Sequence, residues 1–297
     1  MIGRLLICAV LITSAAYPVP AQTPVVSEKD VTVFGFRLHY REAGHGEPLV
    51  LLHGLGGDGS RWGPNIFPLA ADFRVIALDE IGFGQSDKPL ANYHNGMLSE
   101  FLVEFLRTLG IQKASLVGNS MGGYVAAYTA VHYPGMVDHL VLVDGAGYKR
   151  TGDQPRRDPH VRQIQNGATR EETRELFLLM LHNKSLVTDQ MVDDNFVMRL
   201  RSSFTISKWL DASESGLGGI TADEMRTIKA PTLILWGKFD ELAGPPERTA
   251  ERLHSDIDGS RLVVIDNAGH LPQLEQPEQF NKLVREFLKA KATTRAQ

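Results

Sequence analysis

The chain has 297 residues, 43% of them hydrophobic and 22% charged, enough to bury one sizeable core and at most a small second lobe. A formal net charge of -4 and a pI near 6.2, with no basic run, give no field suited to a polyanion, so no nucleic-acid partner is expected. The single cysteine, Cys8, falls in the N-terminal apolar run, so disulfides and thiolate metal sites are not expected in the mature chain.

Arg4 precedes the apolar run Leu5 to Ile12, and Ser14-Ala15-Ala16 leads to Val19-Pro20-Ala21. This pattern predicts an export signal over 1–21, cleaved after Ala21, and a periplasmic or secreted product. The run is too short to span a bilayer comfortably, so no stable membrane insertion is expected after cleavage. The remaining chain divides into a first core part over 25–147, a helical insertion over 148–228, a second core part over 229–291 and a flexible tail over 292–297. The sequence is silent on self-association.

In chain order, Val31 to Phe34, Gly35 and Phe36 to Glu42 read as a β-hairpin, with His39 and His45 expected at the surface. Pro48 to Leu52 is a continuous apolar run, typical of a strand covered on both faces. It leads into His53-Gly54-Leu55-Gly56-Gly57, a turn whose glycines let backbone amides approach a ligand. Trp62, Pro64 and Phe67 read as packing around that turn. Phe73 to Leu78 is the next buried strand, closed by a polar turn in which Asp79 and Asp87 are structural. Asn95 to Leu109 carries apolar residues at three- and four-residue spacing and predicts an amphipathic helix ended by Gly110.

Ser115-Leu116-Val117 is a further apolar strand, and Gly118-Asn119-Ser120-Met121-Gly122 then fits G-x-S-x-G before a helix-compatible stretch. A serine at such a turn is strained and exposed, and small neighbours leave room for the strand and helix on either side. The amide of Met121 has no intrahelical partner there, so it can donate to a developing oxyanion; the amide of Leu55 is the candidate second donor. Alternating strands and helices predict a mostly parallel sheet, flanked by helices, whose reactive edge lies at the carboxyl ends of its strands.

After the strand Val137 to Val143 the chain becomes rich in charge and helix-formers. Its helical stretches, Glu171 to Leu181 and one beginning near Thr188, carry an excess of Met, Phe and Leu suited to a cap over the serine. The parallel pattern resumes at Thr232 to Trp236 and delivers Asp240; Arg261 to Ile265 delivers His270. Three strand ends thus supply a hydroxyl, a carboxylate and an imidazole in the order Ser120, Asp240, His270. An imidazole accepts the serine proton, and a carboxylate fixes its tautomer and stabilises the imidazolium. Asp144, also at a strand end, is the competing acid. The expected pocket residues are His53, Gly54, Asn119, Phe177, Met180, Phe196 and Leu271; no metal or cofactor is expected.

His53-Gly54, Asp79-x-x-Gly82-x-Gly84-x-Ser86, Gly118 to Gly123, Trp236-Gly237-x-x-Asp240 and Gly269-His270 fall in the order of the α/β-hydrolase superfamily, which the chain resembles from about Val31 to Leu288. Ser86-Asp87-Lys88-Pro89 and Ser185-Leu186-Val187-Thr188 make it similar to meta-cleavage product hydrolases and related carboxylesterases. The resemblance implies the α/β-hydrolase fold with an inserted helical cap and a serine triad. The chain departs from the carbon–carbon bond hydrolases by Leu55-Gly56-Gly57-Asp58 after the first His-Gly, by Asn195 at the expected cap arginine, and by Leu271 in place of tryptophan. A dienolate acid would then lose a cationic partner and an aromatic wall. The expected activity is hydrolysis of a small or medium acyl ester, with carbon–carbon hydrolysis as the alternative and ligand reception without turnover as a further one.

Overall fold

The computed structural model describes residues 25–145, 148–149 and 158–290; the expected signal at 1–21 and tail at 292–297 lie outside the described residues. Strands β1 (Ser27–Val33) and β2 (Phe36–Ala43) form a hairpin whose two turn residues, Phe34 and Gly35, both take positive φ. That turn geometry matches the twist of the strands it joins. Six further strands follow: β3 (Pro48–Leu52), β4 (Arg74–Leu78), β5 (Ala114–Asn119), β6 (Val137–Val143), β7 (Thr232–Gly237) and β8 (Arg261–Ile265). Together they make one sheet of order β1-β2-β4-β3-β5-β6-β7-β8, antiparallel at the first two pairings and parallel from β4 onward.

Strand periodicity divides the core into two layers. In register across β3, β5, β6 and β7, Leu51, Val117, Val141 and Leu233 face α1 (Gly63–Ala70) and α11 (Pro277–Lys289). Their neighbours Val50, Leu116, Leu140 and Ile234 face the opposite layer, which holds α2 (Asn95–Thr108), α3 (Met121–His132) and α9 (Pro246–Asp256). Between β6 and β7 the chain forms α4 (Pro159–Asn166), α5 (Arg170–Met180), α6 (Asp189–Arg201), α7 (Ser203–Ser215) and the short α8 (Ala222–Met225). A third apolar cluster, including Leu176, Phe177 and Val192, joins this insertion to Leu271, just before the one-turn helix α10 (Pro272–Glu275).

One surface expectation and one packing expectation are corrected. His39 is buried because β2 is paired on both sides; its ring bonds Asp30 and its amide donates to Ser86 Oγ, whereas His45 is exposed as expected. Trp62 packs in the core against Phe280, but Pro64 and Phe67 point outward from α1.

Behind the β3 turn, the polar residues after β4 act as a brace. The buried Asp79 carboxylate accepts from the amides of Gly59 and Gln85, at 2.7 Å each, and so ties both loops to the sheet. His53 is also buried: its Nδ1 bonds the Gly54 carbonyl at 2.9 Å and its Nε2 accepts the Glu80 amide at 3.2 Å. Burial pushes its pKa down and keeps it neutral. Neither carboxyl oxygen of Glu80 has a hydrogen bond among the described residues, and burial pushes its pKa up to about 8. The 3.9 Å approach of His53 and Glu80 is therefore a contact between neutral groups near pH 7, not an ion pair.

An unfolded glutamate ionises near 4.5, whereas Glu80 in the fold stays protonated to about 8, so the wild type loses stability as pH rises through that window. Glu80→Gln cannot ionise. By thermal melts, the variant is expected to lie within about 1 kcal/mol of the wild type near pH 5 and to exceed it at pH 8 by on the order of 4 kcal/mol, roughly 10 °C. An equal difference at both pH values would contradict a buried, titrating Glu80.

Candidate active site

Chain order and sheet order part company at β3 and β5: from β3 the chain runs outward to β4, then returns to the other side as β5. Such a switch point opens a crevice beyond the carboxyl ends of the strands. Ser120 lies there, between the last residue of β5 and the first of α3, at φ 53° and ψ -119°. A residue with a side chain pays about 1–3 kcal/mol for such a conformation and keeps it only where the surroundings over-determine it. Those surroundings are visible. The Ser120 amide donates to the Val143 carbonyl at 2.9 Å, and its carbonyl accepts from Gly123 at 2.9 Å. A Cβ on Gly118 would overlap the Gly122 carbonyl, one on Gly122 would overlap the Leu52 carbonyl, and one on Gly145 would overlap the Ser120 backbone.

The loops after β7 and β8 bring Asp240 and His270 to the same edge, where both are buried. His270 Nδ1 lies 2.8 Å from Asp240 Oδ2, while Asp240 Oδ1 accepts from the amides of Leu242 and Ala243 at 2.8 Å each. Burial alone would raise the Asp240 pKa, but the His270 charge, its hydrogen bond and the Ala243 amide outweigh it and hold the carboxyl below its usual range. An ionised Asp240 can only accept, so Nδ1 carries the proton, and in the neutral imidazole Nε2 then keeps its lone pair. Nε2 is buried and has no hydrogen-bond partner among the described residues.

Asp144, the competing acid, stands beside this pair at φ 43°. Its Oδ1 accepts the Gly237 amide at 2.8 Å and its Oδ2 has no partner among the described residues. Burial first, and the negative charge of Asp240 second, push its pKa well above the carboxylate range, so Asp144 is neutral while Asp240 is charged. Asp144, Asp240 and His270 are close enough together to surround a cation. A protonated Nδ1 facing Asp240 is incompatible with metal ligation through that nitrogen.

Ser120 and His270 line one small chamber of about 40 Å³ together with Gly54, Leu55, Asn119, Met180 and Leu271. Four of the residues expected at the pocket, Gly54, Asn119, Met180 and Leu271, line this chamber. Asn119 contributes mainly as a clasp, since its amide nitrogen donates to the carbonyls of Val143 and His270 at 3.1 Å each. The other three sit elsewhere. His53 is under the loop as described, Phe177 is buried within the insertion with the Arg61 guanidinium 4.8 Å from its ring centre, and Phe196 lines none of the cavities around Ser120. The Leu55 and Met121 amides donate to no other backbone group among the described residues.

Two arginines in the chamber wall were not anticipated. Arg61 precedes the core Trp62, and Arg199 lies one helical turn beyond Asn195 on α6, the i+4 relation that keeps both on one face. Among the described residues neither has a carboxylate within ion-pair distance. Burial pulls Arg61 down to about 10; burial, then the like charge of Arg61, pulls Arg199 down to about 9, and both stay charged at neutral pH. Beyond Arg61 and Leu271 a groove of about 450 Å³ runs between α6 and the core, walled by Met191, Met198 and Leu274. On the other side of Ser120 a cavity of about 180 Å³ is lined by Tyr124, Trp209 and Trp236.

Residues 47–277 match the family model for the alpha/beta hydrolase fold. The 2-hydroxy-6-oxo-6-phenylhexa-2,4-dienoate hydrolase of Comamonas testosteroni is 30% identical over 274 residues, covering 89% of this chain and 94% of its own. A mutant meta-cleavage product hydrolase from Pseudomonas fluorescens IP01, complexed with acetates, superposes with a TM-score of 0.78 at 29% identity over 88% of this chain and 97% of its own. A thermophilic esterase from Thermogutta terrifontis, with malate bound, superposes with a TM-score of 0.72 at 26% identity, over 89% and 98%. The chain belongs to the α/β-hydrolase family and lies close to its meta-cleavage product hydrolases.

Proposed function

We propose that the protein is a serine hydrolase that cleaves an acyl ester through Ser120, with His270 as base and acid and Asp240 orienting it. The observation that carries this reading is the 2.8 Å contact of His270 Nδ1 with an ionised Asp240, in a chamber that Ser120 shares. As Ser120 Oγ bonds to the acyl carbon, its proton passes to His270 Nε2 and the carbonyl oxygen becomes an oxyanion between the amides of Leu55 and Met121. Collapse expels the alcohol, which takes the proton from Nε2. Water then gives its proton to Nε2 while its oxygen adds to the acyl carbon, and the second collapse returns that proton to Ser120 as the acid leaves. The insertion over 148–228 serves as the cap that keeps bulk water from these steps.

A second reading, hydrolysis of a carbon–carbon bond beside a ketone in a carboxylate-bearing substrate, is favoured by the relatives' names and by the arginines. The resemblance sets Asn195 where an arginine is expected, but the chamber wall carries Arg61 and Arg199. Arg61, whose one side-chain hydrogen bond among the described residues goes to Asn195, supplies a cation between the chamber and the outer groove. The chamber holds only a few waters' volume. A substrate larger than an acetyl or propionyl group must therefore extend past Arg61 or toward Trp209.

Ser120→Ala and Asp240→Asn are each expected to lower kcat on a nitrophenyl ester by about 10³- to 10⁴-fold, while Asp144→Asn changes it less than about 10-fold. Loss of turnover with the Asp144 variant alone would reassign the acid. A panel of nitrophenyl esters, with and without a terminal carboxylate, run beside a 2-hydroxy-6-oxodienoate, separates the two readings. If the carboxylate-bearing substrates are the natural ones, Arg61→Met raises their KM about 10- to 100-fold and leaves neutral esters unchanged. Equal effects on both would remove Arg61 from substrate recognition.

A further inference from the structure

Arg199 is almost fully buried on α6, yet it makes no ion pair among the described residues. Its guanidinium instead joins two carbonyls from different parts of the molecule. Nη1 donates to the Leu55 carbonyl at 3.0 Å, and Nη2 donates to the Gln165 carbonyl near the end of α4. The last carbonyls of a helix lack intrahelical partners and carry negative partial charge, so the α4 end is a natural seat for a cation. The guanidinium passes between Gly56 and Gly167, both at positive φ. A Cβ on Gly56 would overlap Nη1, and one on Gly167 would come within 2.6 Å of Nε.

The loop it grips is held differently on its two sides. Gly54 is fixed from below, its carbonyl accepting from the Gly57 amide at 3.0 Å and meeting His53 Nδ1 at 2.9 Å. The Leu55 carbonyl has only Arg199 among the described residues. A segment with three glycines in five residues has little conformational preference of its own, so a single charge-assisted bond has a large influence on where its amides point.

We propose that Arg199 is a positioning residue. By tying the Leu55 carbonyl to α4 and α6, it sets the oxyanion loop only while the insertion is closed on the core. The proposal rests on the hydrolytic reading above and on Leu55 as an oxyanion donor.

The test uses the full-length protein with a neutral short-chain nitrophenyl ester. Arg199→Ala is expected to lower kcat about 10- to 100-fold with KM changed less than about threefold, short of the full loss of one donor. Because Gly56 and Gly167 leave the slot open, millimolar methylguanidinium restores part of kcat in Arg199→Ala and none in Ser120→Ala. A phenylboronic acid, which forms a tetrahedral adduct on the serine, loses affinity by a similar factor. Arg199→Lys, which keeps the charge but not the fork, shows the same kcat loss if Arg199→Ala does not fold. An unchanged kcat in the folded variants, or a loss confined to KM for carboxylate-bearing esters, overturns the proposal and makes Arg199 a structural or substrate-binding residue. A wild type that turns over no ester overturns the hydrolytic reading and this proposal with it; an active wild type with an indifferent Arg199→Ala overturns this proposal alone.

Discussion

The proposed chemistry depends on one strained residue being held where it is. Ser120 occupies a backbone region that a side chain rarely visits, and its place is fixed because strand, helix and the neighbouring strand crowd it from three sides. Gly118, Gly122 and Gly145 are the positions at which those three approaches occur. The strain is carried by the sheet as a whole: β3, β5 and β6 are paired on both edges and buried over most of their length, so the turn cannot relax without breaking the ladder around it. The proposed function begins from that constraint, since it places a hydroxyl in the crevice where the sheet changes direction.

The second element of the site is an electrostatic division of labour between neighbouring carboxyls. Asp240 faces an imidazole and two amides, and ionises; Asp144 faces Asp240 and a single amide, and does not. Two adjacent buried carboxylates cannot both carry charge cheaply, so the hydrogen-bond count decides which one does. The neutral His53 and Glu80 under the neighbouring loop are set by burial, alone for Glu80 and against the Gly54 carbonyl and the Asp79 and Asp58 charges for His53.

Much of this was legible in the chain. Each of Ser120, Asp240 and His270 follows an apolar run that ends in turn residues, and such local signals survive in sequence. The sheet, the hairpin and the helix over Asn95–Thr108 were readable for the same reason. What escaped depends on docking between distant segments. Arg61 and Arg199 meet in one wall only because α6 packs over the β3 loop, 138 positions away from one arginine to the other (199 − 61). Phe177 and Phe196 do not line the chamber because apolar spacing marks a buried face without saying what covers it: on α5 Thr173, Leu176, Phe177 and Met180 are buried together and only Leu176 and Met180 reach the chamber, and on α6 the buried face is Val192, Asn195 and Arg199. His39 was misplaced because nothing local reveals that a strand has neighbours on both edges.

The central claim is that Ser120 is an activated nucleophile, and covalent capture tests it most directly. A fluorophosphonate probe, which reacts with an activated serine and leaves ordinary hydroxyls untouched, should add once per chain. Peptide mapping by mass spectrometry should place the adduct on Ser120, with labelling slowed in Asp240→Asn. No adduct on the folded wild type, or an adduct on another serine, would contradict the account.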